Sequence, residues 1–305
     1  MSDFSVTILG SSAALPTERR QCSAQLVQIH NQALLIDCGE NTQVALRKQR
    51  IKLQKINHIF ISHLHGDHFL GLPGLIFTLH LLGRTEPLFI FSPKGLKEII
   101  EQLIFVSGTT LNYELRFVEL SENSDETILD TKKFYVKKIP LLHKIETYGF
   151  LVGEKQDLLN IRKDIIKKYA LTIDEVKEIK QGSDYTTPQG EHIPNSKLIL
   201  PPKELRSYAY CSDTAFFPEI IDRIKGVNLL YHETTFETKA EDLAKEKFHT
   251  TSEQAARMAL LADAKVLVIG HISARYKDAT PLLEEAKQIF QNTLLAEDGM
   301  IVPVE

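Results

Sequence analysis

The sequence predicts a mixed α/β fold in which helices cover β-sheets, as in a sandwich. Short runs rich in β-branched and aromatic residues recur through the first half of the chain, as strands require. In the second half such runs alternate with helical patterns. Hydrophobic residues make up 43% of the 305 residues, which is ordinary for a globular chain and sufficient for a sizeable core. This length allows one large domain or two small ones.

Each predicted strand is a short apolar run that ends in a turn or polar residue. Branched and aromatic side chains dominate these runs, and such side chains pack well on a pleated surface. In chain order the predicted strands are Phe4–Leu9, Gln25–His30, Ala33–Asp37, Asn57–Ser62, Pro87–Phe91, Leu115–Leu120, Phe134–Ile139, Tyr148–Val152, Ser207–Ser212, Asn228–His232 and Lys265–Gly270.

The predicted helices are recognised by the residues of their first turns. Leu72–Leu82 follows a Gly-Leu-Pro-Gly start. Pro93–Val106 and Pro281–Leu294 open with proline, whose missing N–H is tolerated in a first turn. Thr251–Ala262 begins Thr-Ser-Glu-Gln, which is typical of a capping residue followed by an early acid.

The segment Glu154–Lys203, called the arm below, departs from this alternation because it is polar and rich in Lys, Asp and Glu. It contains a predicted helical stretch, Ile161–Gln181, and a turn-rich run, Gly182–Asn195. We interpret the arm as an insertion standing off the core. A solvated loop with one surface helix is the alternative.

The charge of the arm is nearly balanced. From residue 154 to residue 182, seven basic residues stand against six acidic ones, Asp157 among the latter, so the excess is one positive charge. The pairs Arg162-Lys163 and Lys167-Lys168 recur at helical spacing and can form one basic stripe.

Composition excludes several classes of protein. A net charge of -4 and a pI of about 6.3 argue against a generally basic chain that coats nucleic acid, although a local basic patch stays open. Apolar runs fall short of the roughly 20 residues of a membrane span, and Met1–Val6 lacks the pattern of a secretory signal. The cysteines Cys22, Cys38 and Cys211 form no CxxC pair, which argues against disulfides and thiolate zinc sites. A reducing cytoplasm is therefore expected.

The strongest chemical signal is a cluster of metal-capable side chains: His63, His65, Asp67 and His68. The cluster follows Ile59–Ser62, which reads as a buried strand, so it lies where open α/β sheets place their sites. Three imidazoles and a carboxylate this close together are not satisfied as core residues, because cores rarely hold such groups without partners.

The spacing within this cluster suggests two metal ions. In an extended chain His63 and His65 point the same way and His68 points the opposite way. A turn at Gly66 redirects Asp67 and His68. We therefore expect one ion on His63 and His65 and a second on Asp67 and His68. Nitrogen and oxygen ligands without thiolate suit zinc, with manganese or iron as alternatives.

Three further residues can complete such a dinuclear site. His143 comes after one predicted strand, and Asp213 and His271 directly follow two others. Each alone is more often a turn or cap residue than a ligand, but as a set with the cluster they supply the missing ligands. Asp213 is the best bridging candidate, because one carboxylate can offer an oxygen to each ion.

The order of these residues, HxHxDH and then a lone His, an Asp and a His, resembles that of the metallo-β-lactamase superfamily. Within it the sequence resembles the ribonuclease Z (tRNase Z) family, endonucleases that mature tRNA 3′ ends. The resemblance runs from Val6 to about Tyr276, nearly the whole length. The further motifs that carry it are Leu9–Pro16, Ile36–Glu40, Gly71–Gly74, His232–Phe236, His249–Thr251 and His271–Tyr276.

Two stretches depart from the family pattern. Pro16–Gln21 keeps Arg20 of the family's Pro-x-Lys-x-Arg-Asn loop but lacks its Lys and Asn. Leu171–Val176, in the arm, lacks the family's Gly-Pro pair. Both changes concern contacts with tRNA and leave the metal ligands untouched.

The resemblance implies a four-layer αββα metallo-β-lactamase sandwich formed by residues 1–305. It also implies that residues 154–203 are an inserted, protruding tRNA-binding arm (an exosite). A cytoplasmic homodimer with two zinc ions per subunit, acting on precursor tRNA without a membrane, follows from the same resemblance. The implied ligands are His63, His65, Asp67, His68, His143, Asp213 and His271.

The implied activity is a zinc-dependent endoribonuclease that removes the 3′ trailer, leaving a tRNA 3′-hydroxyl and a 5′-phosphorylated trailer. Asp67 is expected to orient and deprotonate the attacking water. His249, held and kept charged by Glu233, is expected to protonate the departing 3′-oxygen, with a structural ion pair as the alternative. The expected substrate-binding residues are Arg20, Thr250 and Arg275; for Arg275 a surface salt bridge is the alternative.

Two other functions remain open. A superfamily hydrolase of a small substrate, such as a thioester, a lactone or a cyclic nucleotide, has little use for the arm or for the His249-Thr250-Thr251 motif. A non-catalytic RNA-binding relative can dispense with metal ligands, yet all seven are present.

Overall fold

In the computed structural model, the chain forms two compact units. The first comprises Met1–Asp130, Tyr135–Val152 and Arg206–Glu305, and the second comprises Thr131–Phe134 and Gly153–Leu205. The structure describes residues 3–156 and 158–305. Two residues of the stretch Met1–Val6 and the acidic residue Asp157, both used in the sequence analysis, therefore lie outside the described residues.

The strands, in chain order, are β1 (Phe4–Gly10), β2 (Ser12–Ala13), β3 (Ala24–Ile29), β4 (Gln32–Ile36), β5 (Ile56–Phe60), β6 (Leu88–Pro93), β7 (Leu115–Leu120), β8 (Thr127–Asp130), β9 (Phe134–Pro140), β10 (Tyr148–Glu154), β11 (Tyr185–Thr186), β12 (His192–Ile193), β13 (Ser207–Cys211), β14 (Leu229–Glu233), β15 (Val266–Gly270), β16 (Ile272–Ser273), β17 (Thr293–Leu295) and β18 (Ile301–Pro303). The helices are α1 (Thr42–Lys48), α2 (Gly66–Phe69), α3 (Leu72–Leu81), α4 (Leu96–Val106), α5 (Lys163–Lys168), α6 (Ile173–Lys180), α7 (Asn195–Leu198), α8 (Glu241–Lys247), α9 (Ser252–Leu261) and α10 (Thr280–Ile289).

Two large sheets form the first unit. One has the order β18-β1-β3-β4-β5-β6-β7, and the other has the order β17-β15-β14-β13-β10-β9-β8. In the first sheet β4 to β7 are mutually parallel, and in the second β13, β14, β15 and β17 are parallel. Because parallel strands need crossover connections, helices lie between them in the chain.

The two sheets face each other across a buried interior, and helices cover their outer faces. Phe60 of β5 and Phe150 of β10 meet in this interior with ring centroids 5.4 Å apart. Outside the first sheet, apolar side chains of α1, α3 and α4 pack on β3 to β6. Outside the second sheet, α9 and α10 pack on β13 to β15. The resulting order is helix, sheet, sheet, helix, as the resemblance implied.

The second unit has a small core of its own. Its buried apolar side chains come from α5, α6 and α7, from the β11–β12 hairpin and from the residue two positions before α5: Ile161, Ile165, Ile179, Tyr185, Ile193 and Leu198. The predicted single helical stretch Ile161–Gln181 is wrong in one respect, because the structure has two helices here, α5 and α6. Ala170 adopts a left-handed φ of 48° between them, and Thr172 starts α6 with a capping box to Glu175.

The predicted strands all occur, with ends shifted by one or two residues, and the predicted helices mostly hold. Thr251 caps α9 through a capping box with Gln254, as its sequence indicates. Pro93 ends β6 instead of starting a helix, and the chain after Ile289 returns to the sheet as β17. The short strands and helices α1, α2, α7 and α8 went unpredicted, because their patterns are too short to show a period. None of the helices within the described residues has the length and apolar character needed to cross a membrane.

Candidate metal centre and active site

The candidate ligands collect where parallel strands end. Asp213, Glu233 and His271 lie at or just after the carboxyl ends of β13, β14 and β15, which are neighbours in one sheet. His63 follows β5 of the facing sheet by three residues, and the chain then turns into α2. The fold therefore brings residues that are up to 208 positions apart (His63 to His271) to one edge of the sandwich.

Four side chains form the first group of converging ligand atoms: His63, His65, His143 and Asp213. His65 Nδ1 lies 3.1 Å from His63 Nε2 and 3.2 Å from His143 Nε2. Asp213 Oδ2 lies 3.6 Å from His63 Nε2 and 3.8 Å from His143 Nε2. His65 thus presents Nδ1 to the group, whereas the other two imidazoles present Nε2.

Asp67, His68 and His271 form the second group. The Nε2 atoms of the two histidines are 3.4 Å apart, and Asp67 Oδ2 is 3.4 Å from each of them. Asp213 Oδ1 lies 3.3 Å from His68 Nε2 and 3.2 Å from His271 Nε2. The carboxylate of Asp213 therefore faces both groups, one oxygen to each.

The residues present fit divalent metal ions. Asp213 Oδ1 is buried and has no hydrogen-bond partner among the described residues. An ionised oxygen in that position is costly unless a cation or donor meets it. Burial opposes ionisation of Asp213, but the neighbouring imidazoles of His271 and His68 hold its pKa well below the ordinary range. A set of imidazole and carboxylate ligands without thiolate suits zinc and other borderline metals.

Outer hydrogen bonds orient four of the imidazoles through Nδ1. His63 Nδ1 lies 3.0 Å from Ser62 Oγ, and His143 Nδ1 lies 2.9 Å from the Phe248 carbonyl oxygen. His68 Nδ1 lies 2.8 Å from Asp37 Oδ2, and His271 Nδ1 lies 3.0 Å from Thr235 Oγ1. Because these partners accept, Nδ1 carries the proton and Nε2 keeps its lone pair for the centre.

Asp37 organises the buried side of the second group. It is fully buried, has a left-handed φ of 55°, and accepts hydrogen bonds from the Ser62 backbone N–H at 2.7 Å and the Tyr210 hydroxyl at 2.7 Å. Sequence reasoning did not assign this residue a role. The only signal was its place in the Ile36–Glu40 motif, at the end of the predicted strand Ala33–Asp37.

Glu233 and His249 form a pair beside the second group. His249 Nδ1 lies 2.9 Å from Glu233 Oε1, which also accepts the backbone N–H of Thr250 at 3.0 Å. Burial of His249 opposes its protonation, but the charge and hydrogen bond of Glu233 outweigh this and raise the pKa of His249 to about 9. The imidazole is therefore protonated at neutral pH.

A cleft of about 480 Å³ opens onto the centre. Among its lining residues are ligands of both groups and His249: His65, Asp67, His143, Asp213, His249 and His271. Three cationic side chains, Lys144, Lys247 and Arg275, also line it, and Arg275 lies over the Phe236 ring at 4.9 Å from its centroid. The two lysines gave no signal in the sequence, because surface lysines are common.

The three expected substrate-binding residues lie in different surroundings. Arg275 lines the cleft. Arg20 lines a separate cavity of about 340 Å³ together with Arg19 and Lys277. Thr250 is fully buried, and its hydroxyl donates to the Thr214 carbonyl oxygen at 2.6 Å, so it holds the loop around Glu233 and does not line the cleft.

Comparisons with solved structures establish the fold. The short form of human tRNase Z superposes with a TM-score of 0.72 at 29% identity, covering 99% of both chains. The metallo-β-lactamase fold protein YhfI of Bacillus subtilis shares the fold, with a TM-score of 0.71 at 17% identity over 99% of both chains. The predicted α/β metallo-β-lactamase fold is confirmed.

Sequence comparisons identify relatives over the full length. Ribonuclease Z of Bacteroides thetaiotaomicron is 47% identical over 304 residues, which is 100% of this chain and 96% of that protein. Ribonuclease Z of Parabacteroides distasonis is 46% identical over 304 residues, which is 100% of both proteins. A family model described as anti-Pycsar protein Apyc1 matches residues 4–156. Because the whole chain matches relatives named ribonuclease Z at 46–47% identity, the chain belongs to the ribonuclease Z family of the metallo-β-lactamase fold.

Proposed function

We propose that the chain is a zinc-dependent endoribonuclease that cleaves precursor tRNA and removes its 3′ trailer. Relatives that match it over the full length bear the name ribonuclease Z. The observation that carries the proposal is the edge of the sandwich where two ligand groups share Asp213 beside the Glu233–His249 pair. The free, buried cysteines fit the reducing cytoplasm that we propose as its compartment.

The proposed ligands are the seven side chains of the two groups. Divalent ions held there supply a water of lowered pKa and neutralise phosphate charge. Asp67 lines the cleft, and the neighbouring His68 and His271 hold the pKa of its carboxyl well below the ordinary range against the opposing effect of burial. The ionised Asp67 can accept a hydrogen bond from the attacking water and orient it toward phosphorus.

His249 is the proposed proton donor. It lines the cleft, and its Nδ1 is engaged by Glu233, so Nε2 is the nitrogen left to protonate the departing 3′-oxygen. An alkoxide is a poor leaving group, so this proton matters for RNA. Cleavage with this assignment leaves a 3′-hydroxyl on the tRNA and a 5′-phosphate on the trailer. Arg275, with Lys144 and Lys247, is placed to meet phosphates at the mouth of the cleft.

The arm, residues 154–203, is the proposed tRNA-binding exosite. Apart from the neighbouring residues 131–134, the second compact unit lies within 153–205, so it nearly coincides with the arm and has its own apolar core. A cavity of about 370 Å³ in this unit is lined by Arg162, Lys168 and Lys197 along with acidic neighbours. Basic side chains around such a cavity suit the phosphates of a folded RNA.

A homodimer is the proposed assembly. Large apolar side chains stay exposed near the ends of α3 and α4: Leu81 is 82% exposed, Phe105 78% and Val106 66%. The loop after α4 reaches the end of α3, because the Asn112 N–H donates to His80 Nδ1 at 3.2 Å. A patch of this kind is typical of a surface that another chain covers. Sedimentation of the wild-type protein beside Phe105→Glu tests the assignment.

Parallel assays on precursor tRNA and bis(4-nitrophenyl) phosphate test the proposed function. We expect a single cut at the 3′ side of the tRNA and hydrolysis of the small diester. A protein that hydrolyses a cyclic nucleotide, a lactone or a thioester but leaves precursor tRNA intact is a small-substrate hydrolase. A protein that binds precursor tRNA but cleaves neither substrate is a non-catalytic relative.

Metal content is the first testable prediction. We expect the fully loaded protein to hold about two zinc ions per chain, since seven ligands make two groups. His63→Ala should weaken retention of one ion and His271→Ala that of the other, because His63 lies in the first group and His271 in the second. Elemental analysis and competition with a chelator measure both. A folded, fully loaded sample that holds one ion or none contradicts the dinuclear assignment.

The second testable prediction concerns a variant in which a short Gly/Ser linker replaces Glu154–Lys203. No proposed ligand lies in the arm, so hydrolysis of a small phosphodiester should be preserved. KM for precursor tRNA should rise greatly and the salt dependence of binding should flatten, because phosphate contacts are lost. The kinetics of both substrates, with metal content checked, measure this.

A charge variant is the matched control for the linker variant. This variant carries alanine in place of Arg162, Lys163, Lys167 and Lys168. It removes the basic stripe and leaves the buried core residues of this unit in place. It should show the same separation of the two activities. If the linker variant loses both activities together, or loses neither, the arm only packs on the fold or on a second subunit.

A further inference from the structure

We propose that Thr235 is a positioning residue whose hydroxyl fixes the tautomer and orientation of His271 and ties this ligand to Glu233. The inference rests on the proposed metal centre and goes beyond it, because it assigns a role to a residue that is neither a ligand nor a proton donor. Thr235 is buried, with 3% of its surface exposed, at the turn that follows β14.

The Thr235 hydroxyl lies among a carboxylate and two imidazoles, since the Nδ1 of His249 is also 3.3 Å from its Oγ1. Its Oγ1 is 2.9 Å from Glu233 Oε2 and 3.0 Å from His271 Nδ1. The same oxygen is 3.1 Å from the His271 carbonyl oxygen, and the Thr235 backbone N–H donates to Glu233 Oε2 at 3.0 Å. The side chain therefore contacts both the ring and the backbone of His271.

Counting protons assigns the direction of these hydrogen bonds. Donors surround Glu233: the backbone N–H groups of Thr214, Thr235 and Thr250 and the ring of His249. A carboxylate in such surroundings is an acceptor, and it is both charged and nearer to Thr235 Oγ1 (2.9 Å) than the His271 carbonyl oxygen (3.1 Å), so the single hydroxyl proton of Thr235 goes to Glu233. The lone pairs of Oγ1 remain, and they accept the Nδ1–H of His271.

This arrangement leaves His271 Nε2 without a proton. Nε2 lies 3.2 Å from Asp213 Oδ1 and 3.4 Å from Asp67 Oδ2, so its lone pair points into the second group. His68 obtains the same tautomer from a direct contact with Asp37. For His271 the carboxylate is that of Glu233, and it orients the ring indirectly, because the Thr235 hydroxyl lies between them.

Glu233 consequently serves two histidines with different oxygens. Oε1 engages His249 Nδ1 at 2.9 Å, and Oε2 receives the Thr235 hydroxyl. One buried carboxylate thus orients the proposed proton donor and, through Thr235, one metal ligand. His271 has a left-handed φ of 59°, a sparsely populated conformation for a residue other than glycine that the surrounding contacts have to maintain, and Thr235 Oγ1 contacts both its carbonyl oxygen and its ring.

Zinc affinity of three full-length variants tests the proposal. Thr235→Val removes the hydroxyl and keeps the branched shape, whereas Thr235→Ser keeps the hydroxyl. Thr234→Val is the matched control, because Thr234 is the buried neighbour and its hydroxyl contacts only the His232 carbonyl oxygen at 3.3 Å among the described residues. Each protein is stripped of metal and titrated with zinc against a chromogenic chelator.

In Thr235→Val, we expect one of the two zinc ions to bind about 10–100-fold more weakly, as is typical when a partner of a ligating histidine is lost. Thr235→Ser and Thr234→Val should retain both affinities. Cobalt-substituted protein gives a second readout, because the visible spectrum of one ion should change in Thr235→Val alone. Circular dichroism confirms folding, and Thr235→Ala repeats the test if the valine variant does not fold.

Two results overturn the proposal: unchanged zinc affinities in folded Thr235→Val, or an equal loss in Thr234→Val. Failure of the proposed function is recognised separately, since the titration does not use RNA. A wild-type protein that binds zinc but leaves precursor tRNA intact refutes the activity and leaves the role of Thr235 standing. A wild-type protein that binds no zinc refutes the metal centre and the role of Thr235 with it.

Discussion

Asp67→Ala is expected to lower kcat by at least about 10²–10⁴-fold, the range typical for loss of a general base. The residue lines the cleft and its Oδ2 lies 3.4 Å from both His68 Nε2 and His271 Nε2. Its loss removes a proposed ligand of the second group and the proposed acceptor that orients the attacking water. Single-turnover cleavage of precursor tRNA and hydrolysis of bis(4-nitrophenyl) phosphate measure the effect, which should appear with both substrates.

Glu40 provides the matched control for this experiment. It lines the same cleft and is exposed, but it belongs to neither ligand group. Glu40→Ala should therefore keep near-normal turnover. Asp67→Asn keeps an oxygen at the position but cannot take up a proton, so it should lose turnover while retaining more metal than Asp67→Ala. Near-normal turnover of Asp67→Ala with either phosphodiester refutes the role assigned to this residue.

His249→Ala is expected to lower kcat on precursor tRNA by about 10²–10⁴-fold and to affect an activated aryl phosphodiester far less. The departing 3′-oxygen of RNA is strongly basic and needs a proton, whereas a nitrophenolate leaves unaided. His249 lines the cleft with Nδ1 bound to Glu233, so the imidazole is placed and charged for this transfer. Equal losses of kcat on the two substrates favour a structural ion pair instead.

The pH dependence of the RNA reaction gives an independent test of the same pair. With the pKa of His249 near 9, the acid form is present at lower pH, so kcat should fall as pH rises through about 9. Glu233→Gln removes the charge that raises this pKa, and the fall should then begin nearer the ordinary value of about 6.5. Glu237→Gln is the control, because Glu237 pairs with Lys239 and does not contact His249.

The sandwich could be predicted from the sequence, because each of its longer strands is recognisable from its own consecutive residues. Each run such as Phe4–Leu9 or Lys265–Gly270 is rich in branched and aromatic residues and ends in a turn signal, and the structure has a strand at each of these places. The break between α5 and α6 was not readable, because a single left-handed residue, Ala170, leaves no mark in hydrophobic periodicity.

Sequence reasoning proposed all seven candidate ligands, because the four residues of the HxHxDH cluster are not satisfied as core residues and His143, Asp213 and His271 complete a dinuclear set with them. The structure brings all seven into two groups. The expected pairing of His63 with His65 and of Asp67 with His68 agrees with this division. Their assignment to ions remains a prediction that metal analysis must test.

By itself, the sequence determined which residues are chemically able to form the centre and which strand precedes each of them. Only the tertiary structure decided that Asp213 turns one oxygen to each group, that His65 presents Nδ1, and that Thr250 is buried. These properties depend on side chains from distant strands that meet in space, such as Thr235 with His271. Linear spacing determines which face a residue can share with its near neighbours, but packing between two sheets determines which nitrogen or oxygen finally meets its partner.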